Sequence, residues 1–319
     1  MENIKILVPL DFSDMGAKAL HSAEKFANLF NGTITPFHSY LPLNEVDGGP
    51  YMFGMSTATM ENYDEIEQAL HERLGELARE HIDPALVTNP LISIGNPAQS
   101  IVEEGKDYDM IVMSTHGRTG FSRFFLGSVS EKVLRTSHVP VLIVNQEREL
   151  SNLDRIMVTT DFSDHSKEAF PVAKAVARQA NATLEVVNVL AFDPQHDDEP
   201  DESKVEVRNQ RINVLAKELL HDISDLVETK VIVSSDTPHE AILNYNLNNP
   251  HDLIVMSTVG RTGIDYMMMG STTANVARHG EKSRAQALIP KPIPSNHCRS
   301  YPYQKLSACS HLLCTYYYL

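Results

Sequence analysis

The chain has 319 residues, 42% hydrophobic and 22% charged, which suits two ordinary globular domains and excludes a globally disordered polymer. Its formal net charge of -15 and pI near 5.3 argue against a general grip on nucleic acid, which needs a basic face, but leave room for a local cationic pocket. No window approaches the ~18 apolar residues of a membrane span, "MENIKILVPLDFSD" has too short an apolar core for a signal peptide, and Cys298, Cys309 and Cys314 all lie near the C-terminus; no membrane partner, a cytoplasmic location and a body without disulfide framework or Cys-based zinc site are expected.

In chain order, "IKILVPL" is a short aliphatic run that reads as a strand. Asp11 and Ser13 follow as candidate N-caps for a helix over "DMGAKALHSAEKFANLF". "GTITPFHSY" is a second strand, "NYDEIEQALHERLGELAREH" a long amphipathic helix, and "ALVTNPLISIG" a third strand interrupted by Pro90. Asn96 and Pro97 open a short helix, with proline at its tolerated first position. "YDMIVMS" is a fourth strand, "SVSEKVLRTS" a helix and "VPVLIV" a last strand. This alternation calls for a parallel sheet covered by helices on both faces and joined by right-handed crossovers.

The same plan then recurs. "ILVPLDFSD" returns as "IMVTTDFSD", and "IVMSTHGRTGFSRFFLGS" as "IVMSTVGRTGIDYMMMGS", in the same order, at offsets of 150 and 143 residues. The second-copy strands are "RIMVTT", "TLEVVNVL", "LVETKVIVSS" and "HDLIVMS". The chain is therefore a tandem duplication with its junction near "NQERELSNLD": one domain over 1–147 and a second over 152–279. The fold class expected is α/β, two tandem Rossmann-like, doubly wound units with mainly parallel five-stranded sheets.

In such sheets ligands bind beyond the carboxyl ends of the strands, where strand order reverses. "PLDFSD" leaves the first strand and "STHGRTG" the fourth, so the two repeated loops form walls of one crevice. Glycine lets the backbone approach a ligand closely, and free N–H groups at a helix start attract anions, which makes phosphate the natural guest. Arg118 and Arg123 add positive charge in the first copy; the second keeps Arg261 but has Asp265.

These motifs resemble tandem universal stress proteins, whose nucleotide-binding members carry Gly-x2-Gly-x9-Gly-Ser/Thr before the last helix. Here the pattern reads Ser114-x2-Gly117-x9-Gly127-Ser128 and Ser257-x2-Gly260-x9-Gly270-Ser271, with serine at the first glycine of both copies. The resemblance spans nearly all of residues 1–279. It implies ATP or a related adenine nucleotide as cofactor, with Pro9, Leu10 and Asp11 beside adenine or ribose. The second strand's end near His38 and Ser39 would enclose the base. Met113, His116, Gly117 and Arg118 would line ribose and phosphates, and Gly127, Ser128, Val129 and Ser130 would hold phosphate from the helix start. In the second copy Asp161, Val189, Met256, Gly260, Gly270, Ser271 and Thr272 match, but Val259 and Thr159 replace the histidine and proline. The first copy is thus the expected nucleotide site and the second a degenerate one.

Other signals carry less. His116 has no nucleophile partner in a triad-like arrangement, so no catalytic residue is expected; slow ATP hydrolysis or nucleotidyl transfer stands as an alternative function, and a nucleotide-free dimerisation scaffold as another. "HDDEP" (196–200) reads as a solvated acidic loop rather than a metal site. "DGGPYMFGMSTATM" (47–60) suits either a lid or a plain connection. The second copy is expected to lack its final strand, since "SRAQAL" stands where "VPVLIV" should. Residues 280–319, with every cysteine and no acidic residue after Glu281, read as a replaced or appended tail. The missing strand would leave an open sheet edge; since the last strands of two domains commonly pair in the family the chain resembles, weaker docking between the halves or association between chains is the expected consequence.

Overall fold

A computed structural model of the chain describes residues 3–40, 61–115, 126–144, 150, 152–196, 199–257, 270–279 and 286–289. Among them, the first half runs β1 (Lys5–Pro9), α1 (Asp14–Phe30), β2 (Thr33–Tyr40), α2 (Glu61–His81), β3 (Leu91–Ile94), α3 (Pro97–Glu104), β4 (Met110–Ser114), α4 (Ser128–Thr136) and β5 (Val141–Val144). The second runs β6 (Arg155–Thr159), α5 (Asp164–Lys167), α6 (Ala169–Ala180), β7 (Thr183–Ala191), α7 (Glu202–Leu220), β8 (Val227–Ser234), α8 (Pro238–Asn248), β9 (Leu253–Val255), α9 (Ser271–His279) and β10 (Gln286–Ile289).

All ten strands belong to one sheet, in the order β3-β2-β1-β4-β5-β10-β9-β6-β7-β8. Each half is parallel within itself, and the halves meet where β5 pairs antiparallel with β10. The strands alternate their side chains between two buried faces: Ile6, Val8 and Val112 face one core, Leu7, Ile111 and Ile143 the other. Helices α1, α2, α6 and α7 cover the first face with Phe26, Leu74, Phe170 and Ile212. Helices α3, α4, α8 and α9 cover the second with Ile101, Val133, Ile242 and Val276. Each core runs unbroken through both halves.

One expectation fails here. The second copy does have its last strand: Ala287 and Leu288 of β10 pair with Ile254 and Val255, and Leu288 and Ile289 pair across the seam with Leu142 and Val141. The miss has a simple cause. α4 and β5 are separated by four residues and α9 and β10 by six, so the apolar triplet Ala287–Leu288–Ile289, all buried, sits further along than direct superposition of the repeats puts it. The expected open edge is paired, and residues 286–289 belong to the common sheet as the second half's last strand rather than to a tail. Pro90 does what it should, since β3 begins immediately after it.

Candidate functional site

Strand order reverses between β1 and β4 in the first half and between β6 and β9 in the second, and the repeated loops leave the carboxyl ends of these strands. The "DFSD" turn has the same build in both copies. Asp11 Oδ1 accepts from the Ser13 N–H at 3.1 Å and the Ser13 hydroxyl at 2.5 Å; Asp161 Oδ1 accepts from Ser163 at 3.0 and 2.6 Å. The aromatic residue between is held in the left-handed region, φ 62° at Phe12 and 65° at Phe162. A bulky residue pays about 1–3 kcal/mol for that conformation, a strain that collects where a turn must aim a side chain. Here it aims the aspartate at the strand's end.

The second wall is the helix start. Gly127 donates its N–H to the Thr115 carbonyl at 2.8 Å, and a Cβ at Gly127 would lie 2.9 Å from that oxygen, so the close approach requires glycine. The Ser130 hydroxyl donates to the Ser114 carbonyl at 2.9 Å, and Thr273 donates to Ser257 at 2.6 Å in the same way. Ser130 is therefore a brace between β4 and α4 as well as a candidate phosphate contact. First-turn N–H groups of α4 (Ser128, Val129) and of α9 (Ser271, Thr272) have no carbonyl to reach within their own helix.

In the second half these walls enclose a cavity of about 440 Å³. Asp161, Val189, Met256, Gly270, Ser271 and Thr272 all line it; Gly260 lies outside the described residues. In the first half Pro9, Leu10, Asp11, Ser39, Met113 and Gly127–Ser130 occupy the matching strand ends and helix start, with Leu10 and Met113 packed into the two cores. His116, Gly117, Arg118, Arg123, residues 47–60, the second-copy Val259, Arg261 and Asp265, and the three cysteines lie outside the described residues. The half read as degenerate thus has a cavity walled by described residues.

The sequence named the end of β2 near His38 but not the contacts made there or at its counterpart in β7. His38, at the end of β2, places Nδ1 2.7 Å from the Leu10 carbonyl and its ring 4.8 Å from that of Phe12. At the matching position of β7, Asn188 donates Nδ2 to the Thr160 carbonyl at 2.7 Å. Its Oδ1 faces Arg208 of α7, at 3.5 Å, and the Arg208 guanidinium lies 5.6 Å from the Phe162 ring centre. Asn188 was findable from the 150-residue offset; Arg208 was not, because it comes from a helix whose length differs between the copies. Among the described residues no group of three metal-type ligands comes together, and no helix is long and apolar enough to cross a membrane.

Known proteins agree with this architecture. A model of the universal stress protein family matches residues 3–145 and 152–283. The chain belongs to the universal stress protein family. A universal stress protein of Methanocaldococcus jannaschii is 30% identical over 148 residues, 46% of this chain and 84% of that protein. Another, of Mycolicibacterium smegmatis, is 23% identical but spans 86% of this chain and 93% of its own. The crystal structure of a universal stress protein from Archaeoglobus fulgidus superposes with a TM-score of 0.64 at 24% identity, covering 90% of this chain and 98% of that one, which shows the tandem fold. Both universal stress units here are complete α/β units, the second closed by β10.

Proposed function

We propose that this universal stress protein is a cytoplasmic regulatory module that binds an adenine nucleotide in the crevice at the carboxyl edge of its sheet, without a catalytic step. The observation that carries the reading is the cavity between the "DFSD" turn and the start of α9. Its volume of about 440 Å³ falls in the range of small-molecule sites, and its walls come from both repeated motifs.

The chemistry along the cavity suits a nucleotide from end to end. N–H groups of Ser271 and Thr272, which have no acceptor within α9, attract phosphate. Asp161 lines the cavity, and a carboxylate is the acceptor that ribose hydroxyls call for. Val189 lies two residues past Val187, the last β7 residue paired with β6. Backbone alternation turns its N–H and C=O to the same side as those of Val187, past the end of β6. A donor beside an acceptor is complementary to the ring nitrogen and exocyclic amine of adenine.

Calorimetry of the full chain with AMP and ATP tests this. Saturable binding at micromolar nucleotide is the expected result; no heat with either would overturn it. Multiple turnover of ATP would replace the binding module by an enzyme.

A further inference from the structure

We infer that Arg208 is a ligand-contacting residue of the second crevice, donating to the nucleoside end of a nucleotide whose phosphate sits at the start of α9. The inference rests on the crevice reading above and adds to it a contact from a helix position where the first half has Leu70.

Three observations place it. First, Arg208 lines the cavity together with Leu190 and Ala191 at the end of β7, whereas Ser271 and Thr272 line it beyond β9. β7 and β9 flank β6 on opposite sides. Strands stand ~4.8 Å apart, so these two walls are separated by roughly 10 Å, about the length of a nucleoside with its first phosphate. An anion drawn to the helix start leaves its nucleoside at the arginine end.

Second, the guanidinium is held in place before any ligand arrives. The Thr160 carbonyl fixes the Asn188 amide, whose oxygen is thereby turned to Arg208, and the Phe162 ring supports the side chain. Phe162 is itself locked by the Asp161–Ser163 turn. A guanidinium has five donors and no acceptor, so what it meets must carry acceptor atoms, such as a purine ring nitrogen or a ribose oxygen.

Third, the first half is built differently at this spot. The buried positions Leu74 and Ala78 of α2, with Ile82 just beyond its end, and Ile212, Ala216 and Leu220 of α7 share one spacing, which puts Leu70 where α7 has Arg208. His38 takes over both supporting contacts there, to the Leu10 carbonyl and to the Phe12 ring. The two crevices therefore present different walls to the same class of ligand.

Methyl-labelled methionine NMR on the full chain isolates the second crevice, because Met256 lines it. Adenosine and AMP are titrated into the unaltered chain, Arg208→Met, which keeps the stem over Phe162, and Arg208→Lys. The expected result is that Arg208→Met weakens adenosine and AMP by the same factor, about tenfold, the loss of one charge-assisted hydrogen bond. Arg208→Lys should recover part of it. Arg211→Ala, which removes the other guanidinium from the Phe162 ring outside the cavity lining, should leave both affinities within about twofold. Unchanged adenosine affinity in Arg208→Met, with or without a loss for AMP alone, would overturn the inference while leaving the crevice reading intact. A Met256 signal that moves with neither ligand in the unaltered chain would sink both.

Discussion

At the residue scale the repeated turns are alike in outline and unequal in strength. Ser163 both donates to Asp161 and accepts from the Ser166 N–H at 3.1 Å, whereas Ser13 caps α1 through no side-chain bond. Replacing Ser163 by alanine should cost about 1 kcal/mol in urea unfolding, and the same change at Ser13 measurably less. A second contrast sits at the opposite end of the sheet. There Glu185 of β7, with a side chain only 7% exposed, lies 2.8 Å from His251 Nε2 and accepts from the Tyr245 hydroxyl at 2.8 Å. His251 Nδ1 is 2.8 Å from the fully buried Asn246. Burial alone would push the Glu185 carboxyl up, but hydrogen bonds from His251 and Tyr245 outweigh it and hold it below the usual carboxylate range. Burial and the same carboxylate push the Tyr245 phenol up. A depressed folded value means that Glu185 contributes stability above the ordinary carboxyl range, near pH ~4.3, which is lost as pH falls through the folded value. Unfolding free energy measured from about pH 5 to pH 3 should therefore fall more steeply for the unaltered chain than for Glu185→Gln. His251→Leu, which leaves the carboxylate buried without its partner, should cost about 3 kcal/mol at neutral pH. Asp11 and Asp161 were legible because a motif repeated in register names its own residues. Glu185 with His251, and Asn188 with Arg208, were not, because each pair joins elements that only the folded sheet brings together.

At the scale of elements, most boundaries follow from local chemistry. α1 spans the residues read for it, and both α1 and α6 end on asparagine in the left-handed conformation, φ 51° at Asn31 and 53° at Asn181. Alanine at Asn181 should cost about 1 kcal/mol and glycine little, by thermal or urea unfolding. The link between β4 and α4 is a packing matter. Gly127→Val pushes a side chain into the Thr115 carbonyl, with an expected loss of about 1–3 kcal/mol and displacement of the α4 N-terminus from its crevice. β10 shows where sequence reading stops. Its four residues carry too little periodicity to distinguish a strand from a tail, and what makes them a strand is the vacant groove between β9 and β5, a property of the assembled sheet.

For the whole molecule, duplication has produced one continuous sheet rather than two beads. The β5–β10 seam joins both cores, and Arg278 of α9 approaches Glu131 of α4 at 3.9 Å beside it. Leu288, fully buried at the seam, couples the halves: Leu288→Asp should lower stability by more than about 3 kcal/mol and split a single unfolding transition into two. The tandem α/β plan and the position of the crevices were legible from the repeats; the arginine in the wall of the second crevice was not, since that depends on α7 reaching over β7. The most direct test of the account is a crystal structure of the full chain grown with AMP. Phosphate is expected against the N–H groups of Ser271 and Thr272 and the base beside Val189 in the second crevice; an empty second crevice at saturating AMP would contradict nucleotide binding there.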